Sequence, residues 1–352
     1  MVDGGKVTVW VGTKKGAFAL RSNGSRAGAF EIGDPHFLGG EIFHIVQDPQ
    51  APERLVMAAR TGHLGPTIYH SADAGKTWTE AARPPQFEKA PEGEKGPAVG
   101  RTFWIQPGHG SQPGTWWAGV DFSIRDPDQP WFFAGPSNKV SLFRSADGGN
   151  TWEEAPGLRQ YLDTLDPERM GFAPGGSMLH SIQIDPRDAR HMYISMSTAG
   201  TFESLDGGGT WKPLNKGVEA TFFPEDDPPE YGQDPHCMAI HPANPDVLYQ
   251  QNHCGIYRLV RPGDTWERIG KNMPAEVGDI GFPVVPHPRH SDTVWVFPMD
   301  GGGVWPRTSP AGKPSVYRTM DGGKSWERQD AGFPAGNAYW TVLRRSMTAD
   351  WH

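Results

Sequence analysis

Ser145-Ala146-Asp147-Gly148-Gly149-Asn150-Thr151-Trp152 decides the fold, because it returns along the chain. It returns as Ser71-Ala72-Asp73-Ala74-Gly75-Lys76-Thr77-Trp78 and as Ser204-Leu205-Asp206-Gly207-Gly208-Gly209-Thr210-Trp211. Thr319-Met320-Asp321-Gly322-Gly323-Lys324-Ser325-Trp326 is a close variant. A worn copy ends Gly263-Asp264-Thr265-Trp266, with Arg261 where the others carry Asp. The closing tryptophans stand at 78, 152, 211, 266 and 326, between 55 and 74 residues apart. Self-similarity at that period means one structural unit repeated, as in a solenoid or a propeller.

The residue types explain the unit. A short Asp side chain accepts hydrogen bonds from nearby amides and locks a turn. The glycines supply the positive φ of a tight hairpin, and Ser or Thr adds a second local bond. Trp then buries a large face between layers. Short alternating strands precede the copies, as at Val140 to Arg144 and Thr201 to Glu203. The octapeptide is therefore a hairpin corner. It resembles the Asp-box, or BNR, repeat of the sialidase-like β-propellers. That resemblance implies an all-β propeller with four-stranded blades, in which Asp73, Asp147, Asp206 and Asp321 are structural.

Composition agrees. With 45 Gly and 34 Pro among 352 residues and few helix-period patterns, the chain suits an all-β fold rich in turns. The even repeat, with no linker, predicts a single domain over 1–352. A net charge of −8 without a basic cluster argues against a nucleic-acid partner. No apolar run approaches a membrane span. The N-terminus enters a strand at Val7 without a signal-peptide pattern, so a cytoplasmic location is the default expectation. Two cysteines give no disulfide framework.

Each unit reads as four strands, A to D, with the octapeptide at the C–D corner. A strands are expected near Ile42 to Gln47, Arg101 to Gln106, Leu179 to Ile184, His236 to Ile240 and Phe282 to Val285. Ala338 to Leu343 resembles a further A strand, and the N-terminus offers B, C and D without an A. Joining the ends predicts six blades, a closure that removes sheet edges. The alternative is a seven-bladed type lacking most of its last blade. The chain also resembles a bacterial family of BNR-repeat glycosyl hydrolase or exo-α-sialidase-like proteins. The stretches that carry this are Pro35-His36-Phe37-Leu38-Gly39, Leu179-His180-Ser181-Ile182, Gln251-Asn252-His253-Cys254-Gly255 and Ala338-Tyr339-Trp340-Thr341-Val342-Leu343.

In Asp-box propellers the face opposite the boxes is built from the B–C and D–A loops, and loops on a rigid scaffold carry function. Aligned on the Asp-Pro and His-Pro endings of the A strands, the units place Lys14, Arg60, Arg101, Asp121, His180, Ser197, His236 and His253 in one polar ring, with Asp300 one residue beyond. His236 and His253 are expected to be cross-strand neighbours. Three readings stay open. The ring is a solvated mouth whose groups bond to water. Or Asp121, His180, His236 and His253 carry protons while Arg60, Arg101, Trp104, Ser197 and Asp300 hold an anionic substrate. Or His180, His236 and His253 bind a transition metal, the one cofactor in question. Cys237 and Cys254 read as buried apolar groups, since strand neighbours point to opposite faces. Trp131 and Trp305 are the tryptophans expected to be exposed for sugar stacking, and His36 and His63 fall in loops of the same face.

The family label invites a sialidase, but the residues do not supply one. The Arg-Ile-Pro motif of sialidases is absent, and no Tyr–Glu pair stands out beyond Glu230-Tyr231. Arg60, Arg101 and Arg125 could only imitate the arginine triad. Ordinary glycosidases need two carboxylates at a set separation, for which Asp121, Asp126, Asp128, Asp234, Asp279 and Asp300 are available. The leading expectation is hydrolysis of a carbohydrate or small anionic substrate. The alternatives are a non-catalytic propeller that binds a protein or small molecule, as related assembly factors do, and a His-ligated metal enzyme.

Overall fold

The computed structural model describes residues 6–22, 24, 30–62, 65–125, 140–166, 177–224, 229–300 and 307–349. The fold is an all-β propeller of antiparallel blades, with one six-residue helix, Gly157–Leu162, among the described residues. The chain divides into two compact units, Met1–Arg159 and Gln160–His352.

The N-terminal unit holds three sheets. The first has three strands, β1 (Thr8–Thr13), β2 (Gly16–Arg21) and β3 (Glu31–Ile32). The second runs β4 (Glu41–Asp48), β5 (Ala51–Arg60), β6 (Pro66–Ser71) and β7 (Thr79–Glu80). The third runs β8 (Gly96–Pro107), β9 (Trp116–Arg125), β10 (Val140–Ser145) and β11 (Glu153–Ala155). The β8–β9 hairpin is longer than the sequence predicts. It starts at Gly96, five residues before the strand expected at Arg101 to Gln106, and pairs through to Arg125.

Three four-stranded sheets form the C-terminal unit. They are β12 (Leu179–Ile184), β13 (Met192–Met196), β14 (Gly200–Ser204), β15 (Lys212–Pro213); β16 (Pro235–Ile240), β17 (Val247–Asn252), β18 (Gly255–Val260), β19 (Glu267–Arg268); and β20 (Gly281–Pro286), β21 (Val294–Pro298), β22 (Val316–Thr319), β23 (Glu327–Gln329). Inner strands are covered on both faces, so β13, β14 and β17 are buried at every residue, whereas Lys212 of β15 and Glu267 of β19 are exposed. The core therefore lies between successive sheets. Tyr193, Leu214, Met238, Leu248, Tyr257 and Trp266 form one such layer, and Val56, Ile68, Ile105, Trp116, Phe143 and Trp152 form one in the N-terminal unit.

One expectation fails in a specific place. Ala338 to Leu343 form no strand. This segment is tied to the loop before β22 instead: the Ser309 amide donates to the Trp340 carbonyl (2.8 Å), the Ala338 amide to Gly312 (2.9 Å), and the Thr341 hydroxyl to Arg307 (2.6 Å). Its backbone polar groups are thus partly satisfied without a sheet.

The corners share one hydrogen-bond pattern. Asp147 Oδ1 accepts from the Thr151 amide (2.8 Å) and the Ser145 hydroxyl (2.8 Å), while Oδ2 accepts from the Thr151 hydroxyl (2.7 Å). The Ser145 oxygen accepts in turn from the Gly149 amide (3.0 Å). Asp73, Asp206 and Asp321 repeat these bonds within their own copies. Bonding to the charged form lowers a carboxyl pKa; the Thr77 and Thr210 amides and hydroxyls hold Asp73 and Asp206 at about 2.

Candidate functional site

The candidate site is built at the opposite end of the blades from these corners, where β16 begins and β17 ends. First strands start irregularly there. Bulges fall between Ile42 and His44, Val99 and Arg101, His180 and Ile182, Pro235 and Cys237, and Gly281 and Val284. A bulge re-aims a side chain that a regular pleat would send elsewhere. His236 sits inside one, so Pro235 rather than His236 pairs across the hairpin, with Asn252. The expected His236–His253 strand pair is therefore replaced by an edge-on ring contact, with centroids 5.8 Å apart at an interplanar angle of 68°.

Asp234, one residue before β16, joins the two rings. Its Oδ2 lies 3.2 Å from His253 Nδ1 and 3.5 Å from His236 Nε2. Its Oδ1 accepts from the Thr198 amide at 3.3 Å, and its carbonyl accepts from the His253 amide at 2.9 Å. The ligating atoms of Asp234, His236 and His253 all lie within 4.8 Å of one another. On the far side of each ring, His236 Nδ1 meets the Gly281 carbonyl at 2.6 Å, and Arg307 Nη2 lies 3.2 Å from His253 Nε2. A carbonyl only accepts, so the His236 proton resides on Nδ1 and Nε2 presents a lone pair to Asp234. Arginine only donates, so His253 Nε2 accepts and Nδ1–H points at the carboxylate.

Burial governs the charges. It disfavours imidazolium at His236 and pulls its pKa down, against the pull of Asp234. Burial alone would raise the Asp234 carboxyl; positive charge on His236, when present, and the His253 N–H pull it far below the usual carboxylate range. His253 is the accessible member, with 36% of its side chain exposed, against 5% for His236 and 13% for Asp234.

Two further groups complete the cluster. Arg344 donates to the Ser197 hydroxyl at 3.0 Å and lies over the Phe282 ring, 4.8 Å from its centroid. Ser181 and Thr198 hold left-handed backbone conformations, with φ of 58° and 62°. Non-glycine residues in that region store roughly 1 kcal/mol or more each and collect at functional sites.

His180 has a different role from the one the sequence suggests. Its Nε2 donates to the Pro235 carbonyl at 2.8 Å, and its Nδ1 bonds the Ser181 hydroxyl at 3.2 Å. Both nitrogens are spent and the residue is fully buried. Burial, then the Arg344 charge, keep its pKa well below normal. The Met238 amide donates to Ser181 Oγ at 2.8 Å, so Leu179-His180-Ser181-Ile182 latches β12 to β16. His180 is therefore neither a proton carrier nor a metal ligand, and Asp234 takes its place beside His236 and His253. Ser197 touches His180 Nε2 at 3.3 Å and serves the same latch.

Three other residues of the expected ring, Arg60, Arg101 and Asp121, are otherwise engaged. Arg101 and Asp121 are paired across β8 and β9 and form a salt bridge. Arg60 donates to the Gly100 carbonyl. Trp104 is buried against His44, with ring centroids 5.1 Å apart, and is a packing residue rather than a sugar platform. Asp279 is bound through both oxygens by Arg268, at 2.9 and 2.8 Å. The Asp300 amide donates to Thr308 at 2.7 Å. Lys14 is exposed, and His36 lies against Trp10 and Trp78. Cys237 and Cys254 are buried and free. Asp126, Asp128, Trp131, His63 and Trp305 lie outside the described residues.

Arg307 and Arg344 had no sequence signal of their own. Arg307 falls in the connection between β21 and β22, and Arg344 directly follows the Ala338 to Leu343 stretch.

The fold defines the class, a β-propeller with six antiparallel sheets. No family model matches the chain. By sequence it is similar to the probable oligoxyloglucan-reducing end-specific xyloglucanase of Neosartorya fischeri, 25% identical over 208 residues, or 54% of this chain and 22% of that one. It is also similar to a Paenibacillus xyloglucanase, 30% identical over 116 residues, or 31% of this chain and 10% of that one. By structure it resembles an ancestral GH74 enzyme, with a TM-score of 0.56 and 15% identity over 85% of this chain and 32% of that one. The Niastella koreensis GH74 enzyme gives a TM-score of 0.56 and 18% identity, over 91% of this chain and 43% of that one. The chain thus spans less than a quarter of either xyloglucanase. At these identities the structural likeness concerns the fold alone.

Proposed function

We propose that this propeller is a hydrolase acting on a carbohydrate that bears an acidic group, at the Asp234–His236–His253 cluster. The observation that carries this reading is the line from Arg307 through His253 to Asp234. A buried carboxylate that fixes the tautomer of a half-exposed imidazole is the arrangement general-base catalysis needs. Arg307 and Arg344 supply positive charge beside it, suited to a carboxylate or phosphate on the substrate. The xyloglucanase relatives support carbohydrate as the substrate class. When Arg307 turns from His253 Nε2 to the acidic group of the substrate, that nitrogen is free to accept a proton, and His253 takes the base role.

The test is release of reducing ends from acidic and neutral oligosaccharides of matched length. Turnover is expected on the acidic set. His253→Gln should lower kcat by about two to four orders of magnitude, and Arg307→Gln should raise KM chiefly on acidic substrates. Equal turnover of neutral substrates would remove the arginines from recognition. Full activity in His253→Gln would remove the base.

A further inference from the structure

We infer that Asp234, His236 and His253 bind one divalent transition-metal cation. This inference deepens the hydrolase reading of the same site, but the binding it describes does not require turnover.

His236 Nδ1–H donates to the Gly281 carbonyl at 2.6 Å, so in the neutral ring Nε2 carries a lone pair. That lone pair faces Asp234 Oδ2, itself an acceptor, at 3.5 Å. Two acceptors aimed at each other in a buried site call for a cation between them, either a proton or a metal ion. A ligating imidazole that donates its other N–H to a backbone carbonyl is the usual support for a metal ligand, because it fixes the ring and raises its basicity. His253 adds a third donor, with Nδ1 at 3.2 Å from the same carboxylate oxygen. Two imidazoles and one carboxylate suit Zn2+, Fe2+ or Co2+ and leave positions open for water or substrate.

Arg307 makes the inference specific. With His253 Nδ1 on a cation, Nε2 becomes a donor and no longer accepts from Arg307. Cation binding therefore releases Arg307 and leaves its guanidinium to pair with an anionic substrate. Removing Arg307 should tighten cation binding, because it removes both a competing hydrogen bond and a nearby positive charge.

The experiment is titration of the chelator-treated full chain with Zn2+ and Co2+, followed by calorimetry and by the visible absorption of bound Co2+. One equivalent per chain is expected. Asp234→Asn and His253→Gln should each weaken it by at least about tenfold, since even an outer-shell partner is worth about that much, while Arg307→Gln should strengthen it. His253→Gln alters a half-exposed ring, so it keeps the test readable if Asp234→Asn fails to fold. No uptake by the wild-type chain would overturn the inference, as would uptake unchanged in the His253→Gln and Asp234→Asn variants. Uptake without turnover of acidic sugars sinks the hydrolase reading and leaves the metal site standing. Turnover by metal-free protein that takes up no cation does the reverse.

Discussion

At the corner after β14, Asp206 closes the hairpin with groups from its own octapeptide: the Ser204 hydroxyl and the Thr210 amide and hydroxyl, all at 2.8 Å. At the equivalent corner after β18 the chain carries Arg261, which reaches into the neighbouring blade and binds Glu203 at 2.6 Å. Glu203 also meets His191 at 2.8 Å and Lys212 at 3.0 Å, and its side chain is fully buried. The main chain is tied to the same turn at both corners, though one position earlier in the second. The Gly207 amide donates to the Arg190 carbonyl and the Arg261 amide to the Asp246 carbonyl, each in the turn between the first two strands of its own blade. One hairpin end can thus be closed locally by a carboxylate that water can reach, or at a distance by a buried ion network. The local solution leaves a sequence motif. The distant one leaves a gap in the motif and joins two blades.

Breaking the distant solution should have the largest effect on stability. Glu203→Ala strands Arg261 and His191 beside a buried void while the exposed Lys212 turns to water, and losing one partner of a buried charge network costs about 3–5 kcal/mol. Urea unfolding should show this as a fall in midpoint. Burial opposes ionisation of Glu203, but His191, Lys212 and Arg261 outweigh it and hold the carboxyl at about 2, against an ordinary 4.5. The folded value lies below the unfolded one, so the stabilisation is complete above the ordinary carboxylate range and fades as the pH falls through about 2. That difference is worth on the order of 3 kcal/mol. An acid-unfolding curve for Glu203→Ala should therefore be flatter than wild type between pH 4.5 and 2.

Breaking a local corner should cost less. Asp206→Ala removes three hydrogen bonds to a charged acceptor. Water takes over most of the exposed donors, so a loss of about 1–2 kcal/mol is expected. The comparison with Glu203→Ala is what matters. If Asp206→Ala destabilised as much, the corners would be equivalent and the burial of Glu203 would not set them apart.

The same division explains what was legible in the sequence. The octapeptides are self-contained, so Asp73, Asp147, Asp206 and Asp321 announced the hairpins, and the strands between them followed from apolar runs. His236 and His253 were legible as partners because they are symmetric about one turn. Their actual geometry was not, since the bulge at Pro235 to Cys237 sits beside a hydrogen bond from Met238 to Ser181 of the preceding blade, a contact that no local pattern reveals. Asp234 was visible only as one carboxylate among several. Arg307 and Arg344 come from segments about 50 and 90 residues further on, and no periodicity links them to the histidines. His180 was misread because a buried histidine bonded to a carbonyl carries the same letter as a ligand. Trp104 was misread likewise, since its burial against His44 comes from the neighbouring sheet.

The smallest effect should be a gain. Three Asp corners place glycine directly after the Asp, with φ of 76° at Gly148, 77° at Gly207 and 72° at Gly322. The corner at Asp73 has Ala74 there, held at φ 58°. A Cβ in the left-handed region costs roughly 1–2 kcal/mol, while glycine adds unfolded-state freedom worth about 0.4–1 kcal/mol. Ala74→Gly should therefore stabilise by about 0.5–1 kcal/mol, a rise of about 2 °C in Tm for a chain of this size. Gly207→Ala should move Tm the other way by a similar amount, because it builds into the second corner the strain that Ala74 carries in the first. Opposite shifts of equal size would mean that the corners differ only in backbone strain. A neutral Ala74→Gly would mean that the Asp73 turn has relaxed around its alanine, and that the four corners are not interchangeable.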